Sequence, residues 1–290
     1  YNIFHGNCKK YKFLYRSCAR VFFKYTQLND GDEFIVIDND NCDVNGFKNL
    51  NKIKLVKNLK PLNFAKNVNQ VIDLAVQSKK DLIFMTNDII FTNEWAKPLL
   101  QNSESISIPS NNQIFPYTSD CGNLKLKATM NFEDFNLKYN LLNEIVKNHK
   151  KNFKPNQKFE TLLMPFFCFK LPLKIMIHVG HLDTSYGNGG GEDVDYRIRC
   201  ILKGYNVDFL LDSYLLHFHG KSTWAIETKE ETEKRNNIYT KNFLNKWGQD
   251  MTQIFILRKD FLNILEKKNL NDLFKQGKFS QIIKIINNFI

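Results

Sequence analysis

The sequence lacks the patterns that mark several common classes of protein. Six cysteines are spread over 290 residues, and none forms a C-x-x-C pair, which argues against a zinc ribbon or a thioredoxin-type motif. Six cysteines in a chain of this length do not make a disulfide scaffold, so we expect free thiols in a reducing compartment. No apolar run approaches the ~18 residues of a membrane span, and no signal-peptide pattern is visible. We therefore expect a cytoplasmic protein, and leave peripheral contact with a membrane open.

Acidic residues are fewer than basic ones. Lysine and arginine total 41 while aspartate and glutamate total 30, which gives a net charge of +11. A basic chain suits nucleic acid, an anionic membrane or a phosphate-bearing ligand. The lysines are scattered, apart from Lys147, Lys150, Lys151 and Lys154, and arginine is sparse. We therefore expect no nucleic-acid partner, and a basic nucleic-acid-binding protein is the least favoured alternative.

Strand and helix signals alternate along the first hundred residues. Apolar runs at 34–37 and 82–85 predict buried strands, and apolar residues at helical spacing predict a helix over 64–76. This order is typical of an α/β domain with a parallel sheet. In such sheets ligands bind beyond the carboxyl ends of the strands, which is where Asp38 and Asp88 stand.

The second half becomes helical towards its end. Four further elements are expected, alternating helix and strand, at 136–150, 165–169, 193–202 and 207–216. From about residue 224, Glu, Lys, Asn and Leu dominate at helical spacing. We therefore expect residues 224–290 to form a helical extension.

Two acidic groups are candidates for catalysis or metal binding. Asp88 follows the strand at 82–85 and could bind a hard cation through oxygen; the alternative is an aspartate that caps the next turn. Glu192 and Asp193 follow three glycines at a predicted helix start, and one of two adjacent carboxylates can have a raised pKa. The alternative is an acidic first turn that complements the helix dipole.

A histidine and two charged pairs accompany these acids. His217 ends a predicted strand and could ligate a metal through a neutral imidazole; the alternative is a histidine that is only hydrogen-bonded. Asp193 and Arg197 are four residues apart, as are Asp195 and Arg199. This is the spacing of a plain ion pair on a helix.

The order of several short motifs is more specific than any one of them. The motifs are F-I-V-I-D-N at 34–39, L-I-F-M-T-N-D at 82–88, G-H-L-D at 180–183, E-D-V-D at 192–195 and H-F-H-G-K-S at 217–222. In this order they resemble the family 2 glycosyltransferases with a GT-A fold, over roughly residues 4–224. The resemblance implies a Rossmann-like α/β fold, with a mixed, mostly parallel sheet flanked by helices.

The resemblance also implies how the chain is divided. Residues 1–223 would form the catalytic domain, with a nucleotide-binding half over about 1–100 and an acceptor and catalytic half over 101–223. Residues 224–290 would be the helical extension, and we leave open a homo-oligomer formed through its helices.

The family's site residues carry over to the matching positions. Asp193 would be the general base, with Glu192 beside it. Asp88 and His217 would hold a divalent metal, Mn²⁺ or Mg²⁺, and a histidine ligand favours Mn²⁺. The nucleotide and donor contacts would be Asn7, Asp38, Asn69, Asn87 and Asp88. Asp195 and Arg199 would be structural supports.

The function implied by the resemblance is an inverting glycosyl transfer. The donor partner would be a nucleoside-diphosphate sugar, with UDP as the expected nucleotide. The acceptor would be a hydroxyl of a carbohydrate, a lipid-linked sugar or a protein. The main alternative is a non-catalytic sugar-binding or nucleotide-binding module on the same fold.

Two departures from the family pattern matter. Thr86 stands where many members carry the first acid of a D-x-D motif, so Asp88 is the only carboxylate in that motif. Gly189, Gly190 and Gly191 stand where relatives often have bulky residues. We expect these glycines to act as the hinge of a loop that orders over bound donor; the alternative is a tolerated surface loop.

Overall fold

The strands of the protein form one mixed sheet. A computed structural model describes residues 2–6, 21–39, 53–112, 135–160, 166–218 and 227–287. Nine strands of these segments pair in a single sheet with helices packed against it. The predicted mixed α/β sheet flanked by helices is confirmed.

The N-terminal strands are short and parallel. Their bounds are β1 Asn2–Gly6, β2 Phe34–Asp38, β3 Ile53–Lys57 and β4 Leu82–Thr86. They lie in the order β3-β2-β1-β4 and all pair in parallel. Every side chain of β2 is buried, as expected for a strand covered on both faces of the sheet. The carboxyl ends of β2 and β4 therefore lie at the same edge.

The remaining strands extend the sheet beyond β4. Their bounds are β5 Ile89–Phe91, β6 Ile106–Asn111, β7 Lys158–Glu160, β8 Cys168–Leu171 and β9 Val207–His217. Strand β8 runs antiparallel between β4 and β6, and β6 is parallel to β9, while β5 and β7 pair antiparallel with β9. Strand β9 therefore ends at the same edge of the sheet as β4.

The strand predicted at 165–169 is wrong at its start. Strand β8 begins only at Cys168, and Phe166 and Phe167 form a turn before it. The Phe167 carbonyl accepts a hydrogen bond of 2.7 Å from the Thr86 amide, so the turn is fastened to the end of β4.

The predicted helices are present. In chain order they are α1 Phe64–Gln77, α2 Ala96–Gln101, α3 Phe135–Lys150, α4 Leu173–Val179, α5 Glu192–Leu202, α6 Lys229–Thr252, α7 Phe261–Lys267, α8 Asn271–Lys275 and α9 Phe279–Ile286. A 3₁₀ turn, Thr184–Tyr186, precedes α5, and a π-helix, Gln253–Leu257, follows α6. Among the described helices, none is long and apolar enough to cross a membrane.

Helix α5 separates two hydrophobic cores. Its Tyr196 and Cys200 pack into the sheet core. The second cluster, here called the tail core, joins Val194, Ile198 and Ile201 of α5 to apolar side chains of α6, α7, α9 and the π-helix. The C-terminal helices therefore cover the outer face of α5. The division of the chain at residue 223 remains a prediction.

Candidate active site

The carboxyl ends of β2 and β4 carry the acids predicted to bind the donor. Asp38 is the last residue of β2, and Asp88 follows β4; their exposed fractions are 3% and 1%. Strand β1 lies between them, with Gly6 paired to Asp38 and His5 paired to Thr86. The structure places the two acids at one edge of the sheet, on neighbouring sides of β1.

A network of asparagines fixes the loops at this edge, and the sequence analysis missed it. The Asn58 side chain donates to Oδ1 of Asn39 and to Oδ1 of Asn67, each at 2.8 Å. Asn39 also exchanges hydrogen bonds with the backbone of Leu62. Asn39 and Asn58 directly follow two neighbouring strands, and that position was the available signal.

The three asparagines predicted to contact the donor have different surroundings. Asn69 exchanges hydrogen bonds of 2.8 and 2.9 Å with the backbone of Leu182, so its amide fastens α1 to the segment before α5. Asn87 is fully buried, and neither atom of its amide has a hydrogen-bond partner in the described structure. Asn7 lies outside the described residues.

Asp88 and His217 are brought together from distant parts of the sequence. Nε2 of His217 lies 3.4 Å from Oδ1 of Asp88, and the Thr86 hydroxyl donates to the same oxygen at 2.7 Å. Burial alone would raise the pKa of Asp88. The charge of His217 and the hydrogen bonds from His217 and Thr86 outweigh burial and lower that pKa. The carboxylate is therefore held ionised.

His217 is held in place on several sides. Its ring stacks on Phe167 at 4.7 Å between centroids, and its amide donates to Oδ1 of Asn112 at 2.8 Å. The Phe218 amide donates to the Asp88 carbonyl at 2.9 Å. Among the described residues no three His, Cys, Asp or Glu side chains converge. Among the described residues, Asp88 and His217 are the two predicted metal ligands that the structure brings together.

Glu192 is bound to the glycine loop before it. Its Oε2 accepts hydrogen bonds from the amides of Gly190 and Gly191, at 2.6 and 2.9 Å. Burial raises its pKa, while these amides and the charge of Arg235 oppose that rise. The carboxylate is thus occupied in shaping the loop at the start of α5.

Asp193, the predicted general base, lies in the first turn of α5. It is half-buried, and its Oδ1 accepts a hydrogen bond from the next amide, that of Val194, at 2.8 Å. Burial and the neighbouring Glu192 carboxylate raise the pKa of Asp193 to about 7. A base is most effective when its pKa lies near the working pH.

The glycines before α5 permit close packing against two tyrosines. A β-carbon at Gly190 would lie 2.7 Å from the ring of Tyr239, which belongs to α6, and one at Gly191 would lie 2.9 Å from the ring of Tyr186. Gly189 and Gly190 also have φ angles of 110° and 118°, which other residues rarely adopt. The close packing explains why glycine is needed at positions 190 and 191. The role of the glycine loop as a hinge remains a prediction.

Asp195 connects α5 to the C-terminal helices. It is fully buried; Arg199 donates to its Oδ2 at 2.8 Å, while Lys246 and Trp247 reach its Oδ1 at 2.7 and 2.9 Å. Arg199 also donates to the carbonyls of Val179 and His181. Asp195 and Arg199 therefore have the contacts of structural supports.

The spacing of Asp193 and Arg197 does not produce an ion pair. Arg197 is fully buried, and none of its guanidinium nitrogens has a hydrogen-bond partner in the described structure. Its guanidinium lies 5.8 Å from the ring centroid of Phe255 in the π-helix. Asp193 and Arg197 therefore do not form the pair that their spacing allows, because the Arg197 side chain packs towards the C-terminal helices, whereas Asp195 and Arg199 do form theirs.

Two contacts connect the Asp88 side of the site with α5. The turn before β8 places Phe167 on His217 and Phe166 at 6.3 Å from Tyr196 of α5. On the other side, Asn63 donates to the Gly187 carbonyl at 2.7 Å. The predicted metal ligands, Asp88 and His217, and the predicted base, Asp193, thus belong to one packed unit.

Comparisons with known proteins identify the fold. No family model matches the sequence, and no curated protein matches it. The crystal structure of GalNAc-T7 with UDP, GalNAc and Mn²⁺ matches 74% of this chain at 12% identity, with a TM-score of 0.52.

The matched part is only 43% of the GalNAc-T7 chain. Mannosyltransferase PcManGT from Pyrobaculum calidifontis, in complex with GDP-Man and Mn²⁺, matches 99% of this chain and 86% of its own, at 10% identity and a TM-score of 0.47. The likeness to GalNAc-T7 shows a fold and not an activity. The chain has the α/β fold of the GT-A glycosyltransferases.

Proposed function

We propose that the protein is an inverting glycosyltransferase of family 2 type. It would move a sugar from a nucleoside diphosphate, with UDP as the expected nucleotide, to a hydroxyl of a glycan, lipid-linked or protein acceptor. The observation that carries this proposal is the buried Asp88–His217 pair, 3.4 Å apart at the sheet edge where the strands end. The UDP and Mn²⁺ in the GalNAc-T7 structure support it.

Asp88 and His217 have the chemistry of a divalent cation site. A carboxylate oxygen and an imidazole nitrogen suit Mn²⁺, and also Mg²⁺ through the oxygen. With two protein ligands, diphosphate oxygens and water would complete the coordination. The cation, when bound, offsets the negative charge that develops on the leaving diphosphate. Thr86 orients the Asp88 carboxylate through its hydroxyl.

Asp193 would accept the proton of the acceptor hydroxyl. Its half-buried carboxylate and raised pKa suit that task. Glu192 is already bonded to two amides of the glycine loop, so we assign it a positioning role. Its negative charge helps to raise the pKa of Asp193.

The donor contacts are proposed at the edge formed by β1, β2 and β4. Asp38 and Asn87 are buried there, and the Asn87 amide would gain partners from a bound nucleotide. Asn7 is retained as a proposed contact. Asn69 is a weaker proposal because its amide is engaged by Leu182.

We expect the turnover number to rise as the pH increases through about 7. Below that pH Asp193 is protonated and cannot accept the acceptor's proton; above it the carboxylate is free to do so. The check is initial rates from pH 5.5 to 8.5 at saturating donor and acceptor. A rate that stays flat over this range, with transfer intact, would remove Asp193 from the role of base.

We expect Asp88→Asn to weaken Mn²⁺-dependent binding of UDP. Removing a side chain that only hydrogen-bonds to a metal ligand costs ~10–100-fold in metal affinity. Removing a ligand itself should therefore lower the Mn²⁺-dependent affinity for UDP at least about tenfold. Calorimetry with UDP, with and without Mn²⁺, measures it. The control is Asp73→Asn, which removes an exposed carboxylate that pairs with the exposed His181. Equal Mn²⁺ dependence in both variants would contradict the role of Asp88.

A further inference from the structure

Helix α6 is fastened to the segment that precedes α5. The Asn242 side chain donates to the Ser185 carbonyl at 2.6 Å, and Lys246 pairs with Asp183 at 2.7 Å. Asn242 and Lys246 are about one helical turn apart, so they lie on the same face of α6. That face therefore runs along the part of the chain that leads to Asp193.

Tyr239 lies one turn earlier on the same face of α6 and reaches the glycine loop. A β-carbon at Gly190 would lie 2.7 Å from Cδ1 and from Cε1 of the Tyr239 ring, so the ring packs directly on the backbone there. Gly190 also has a φ of 118°, which residues with a side chain rarely adopt. The loop therefore approaches the ring more closely than a residue with a β-carbon would allow.

Gly190 is in turn bonded to the acid beside the proposed base. Its amide and that of Gly191 donate to Oε2 of Glu192, at 2.6 and 2.9 Å. Glu192 is buried, and Asp193 is the next residue in the first turn of α5. A series of direct contacts therefore connects the Tyr239 ring, through Gly190, to the neighbour of Asp193.

We propose that Tyr239 is a positioning residue, whose ring holds the glycine loop closed on Glu192 and so keeps the Asp193 carboxylate half-buried at the start of α5. This inference rests on the proposed function and deepens it. The ring, and not the hydroxyl, makes the contact with Gly190. The resemblance to the family 2 glycosyltransferases ends at roughly residue 224, so it assigns no role to Tyr239.

Opening of the glycine loop would expose Asp193 to water. Burial is the largest cause that raises the pKa of Asp193 to about 7, so greater exposure would return that pKa towards its ordinary value of 3.8. The charges that act on this carboxylate are those of Glu192 and Arg197 on α5 and of Arg258 after the π-helix. Burial also raises the pKa of Tyr239, which keeps its hydroxyl neutral. Substitution of Tyr239 therefore leaves every one of these charges in place.

The test combines each variant at position 239 with Asp193→Asn in the full chain. The variants are Tyr239→Ala, Tyr239→Leu, which keeps more of the side chain in the tail core, and Tyr239→Phe, which keeps the ring. The matched control is Phe274→Ala, which removes a ring from the same core where it packs on Phe261 and Phe279. Thermal unfolding at pH 4 and pH 8 measures how much Asp193→Asn raises the Tm at pH 8 in each background.

We expect the gain in Tm from Asp193→Asn at pH 8 to fall by at least about half in Tyr239→Ala and Tyr239→Leu, because a more exposed carboxyl ionises with less loss of stability. The gain should be unchanged in Tyr239→Phe and in Phe274→Ala. Amide hydrogen exchange, followed by mass spectrometry, should be at least about tenfold faster at Gly190 and Gly191 in Tyr239→Ala and unchanged in the other two variants.

Four results would overturn the role of Tyr239. These are a gain that is equal in the wild type and in Tyr239→Ala, a gain that is lost in Tyr239→Phe, an equal loss in Phe274→Ala, and no gain from Asp193→Asn in the wild type. Failure of the proposed function would look different, because calorimetry would then show no Mn²⁺-dependent binding of UDP while the Tm values kept the expected pattern.

Discussion

Asp193→Asn should lower the turnover number at least ~10²-fold while leaving the dissociation constant of UDP with Mn²⁺ nearly unchanged. An amide cannot accept the acceptor's proton, and loss of a general base typically costs 10²–10⁴-fold. The amide has nearly the size of the carboxylate, so the start of α5 should keep its shape. Steady-state rates and calorimetry on the same preparation measure the two quantities.

The same substitution should raise stability at pH 8. The pKa of Asp193 rises from an ordinary value of 3.8 to about 7 on folding. Between these values the native state holds a proton that the unfolded state has lost, so the free energy of unfolding falls as pH increases through that window. Asparagine has no carboxyl group to ionise on burial, so it avoids this loss of stability. The Tm of Asp193→Asn should therefore exceed that of the wild type at pH 8 but not at pH 4.

Glu230→Gln is the matched control for Asp193→Asn, because it neutralises an exposed carboxyl in the first turn of α6. It should change neither rate nor the pH dependence of Tm. Full activity in Asp193→Asn would refute the assignment of the base, and reduced activity with lost UDP binding would point to misfolding.

Asp195→Ala should lower the free energy of unfolding by about 3–5 kcal/mol, the usual cost of removing one partner from a buried ion pair. Asp195 is fully buried and receives Arg199, Lys246 and Trp247. Its loss leaves charged and polar groups without their acceptor between α5 and α6. Urea unfolding followed by tryptophan fluorescence measures the change.

Asp250→Ala is the control for this prediction. Asp250 pairs with Lys268 at 3.1 Å on the surface, with 42% of its side chain exposed. Surface pairs contribute about 0–1 kcal/mol, so the control should stay close to the wild type. Equal losses in the two variants would show that Asp195 does not connect the tail core to α5.

The sequence was sufficient to predict where β2 and β4 end, and which acidic residues lie there. In an α/β pattern, a short buried apolar run such as that of β2 predicts a buried strand. The residue that follows the run lies at the edge of the sheet where ligands bind. The pairing of Asp88 with His217 was implied by the family resemblance; the structure brings their side chains within 3.4 Å because β4 and β9 end at the same edge of the sheet.

Contacts made by side chains across elements were not predictable in this way. The hydrogen bond between the Asn39 and Asn58 side chains forms because β2 and β3 are neighbours in the sheet. Hydrophobic periodicity along the sequence does not show which strands are neighbours. Asp193 and Arg197 have the spacing of a pair, yet the tail core draws Arg197 towards Phe255. The spacing of residues on a helix shows which side chains could pair, and tertiary packing decides which of them do.

The position of α5 between two cores has a consequence for synthesis of the protein. Residues that bury its outer face, such as Ile282 and Ile286, are translated more than 80 residues after α5 begins. Domains fold during translation as their segments emerge from the ribosome. The sheet can form early, but the helix that carries Asp193 stays half-covered until α9 has emerged. A ribosome stalled between α5 and α9 would therefore present an exposed apolar face, which is the kind of surface that chaperones bind.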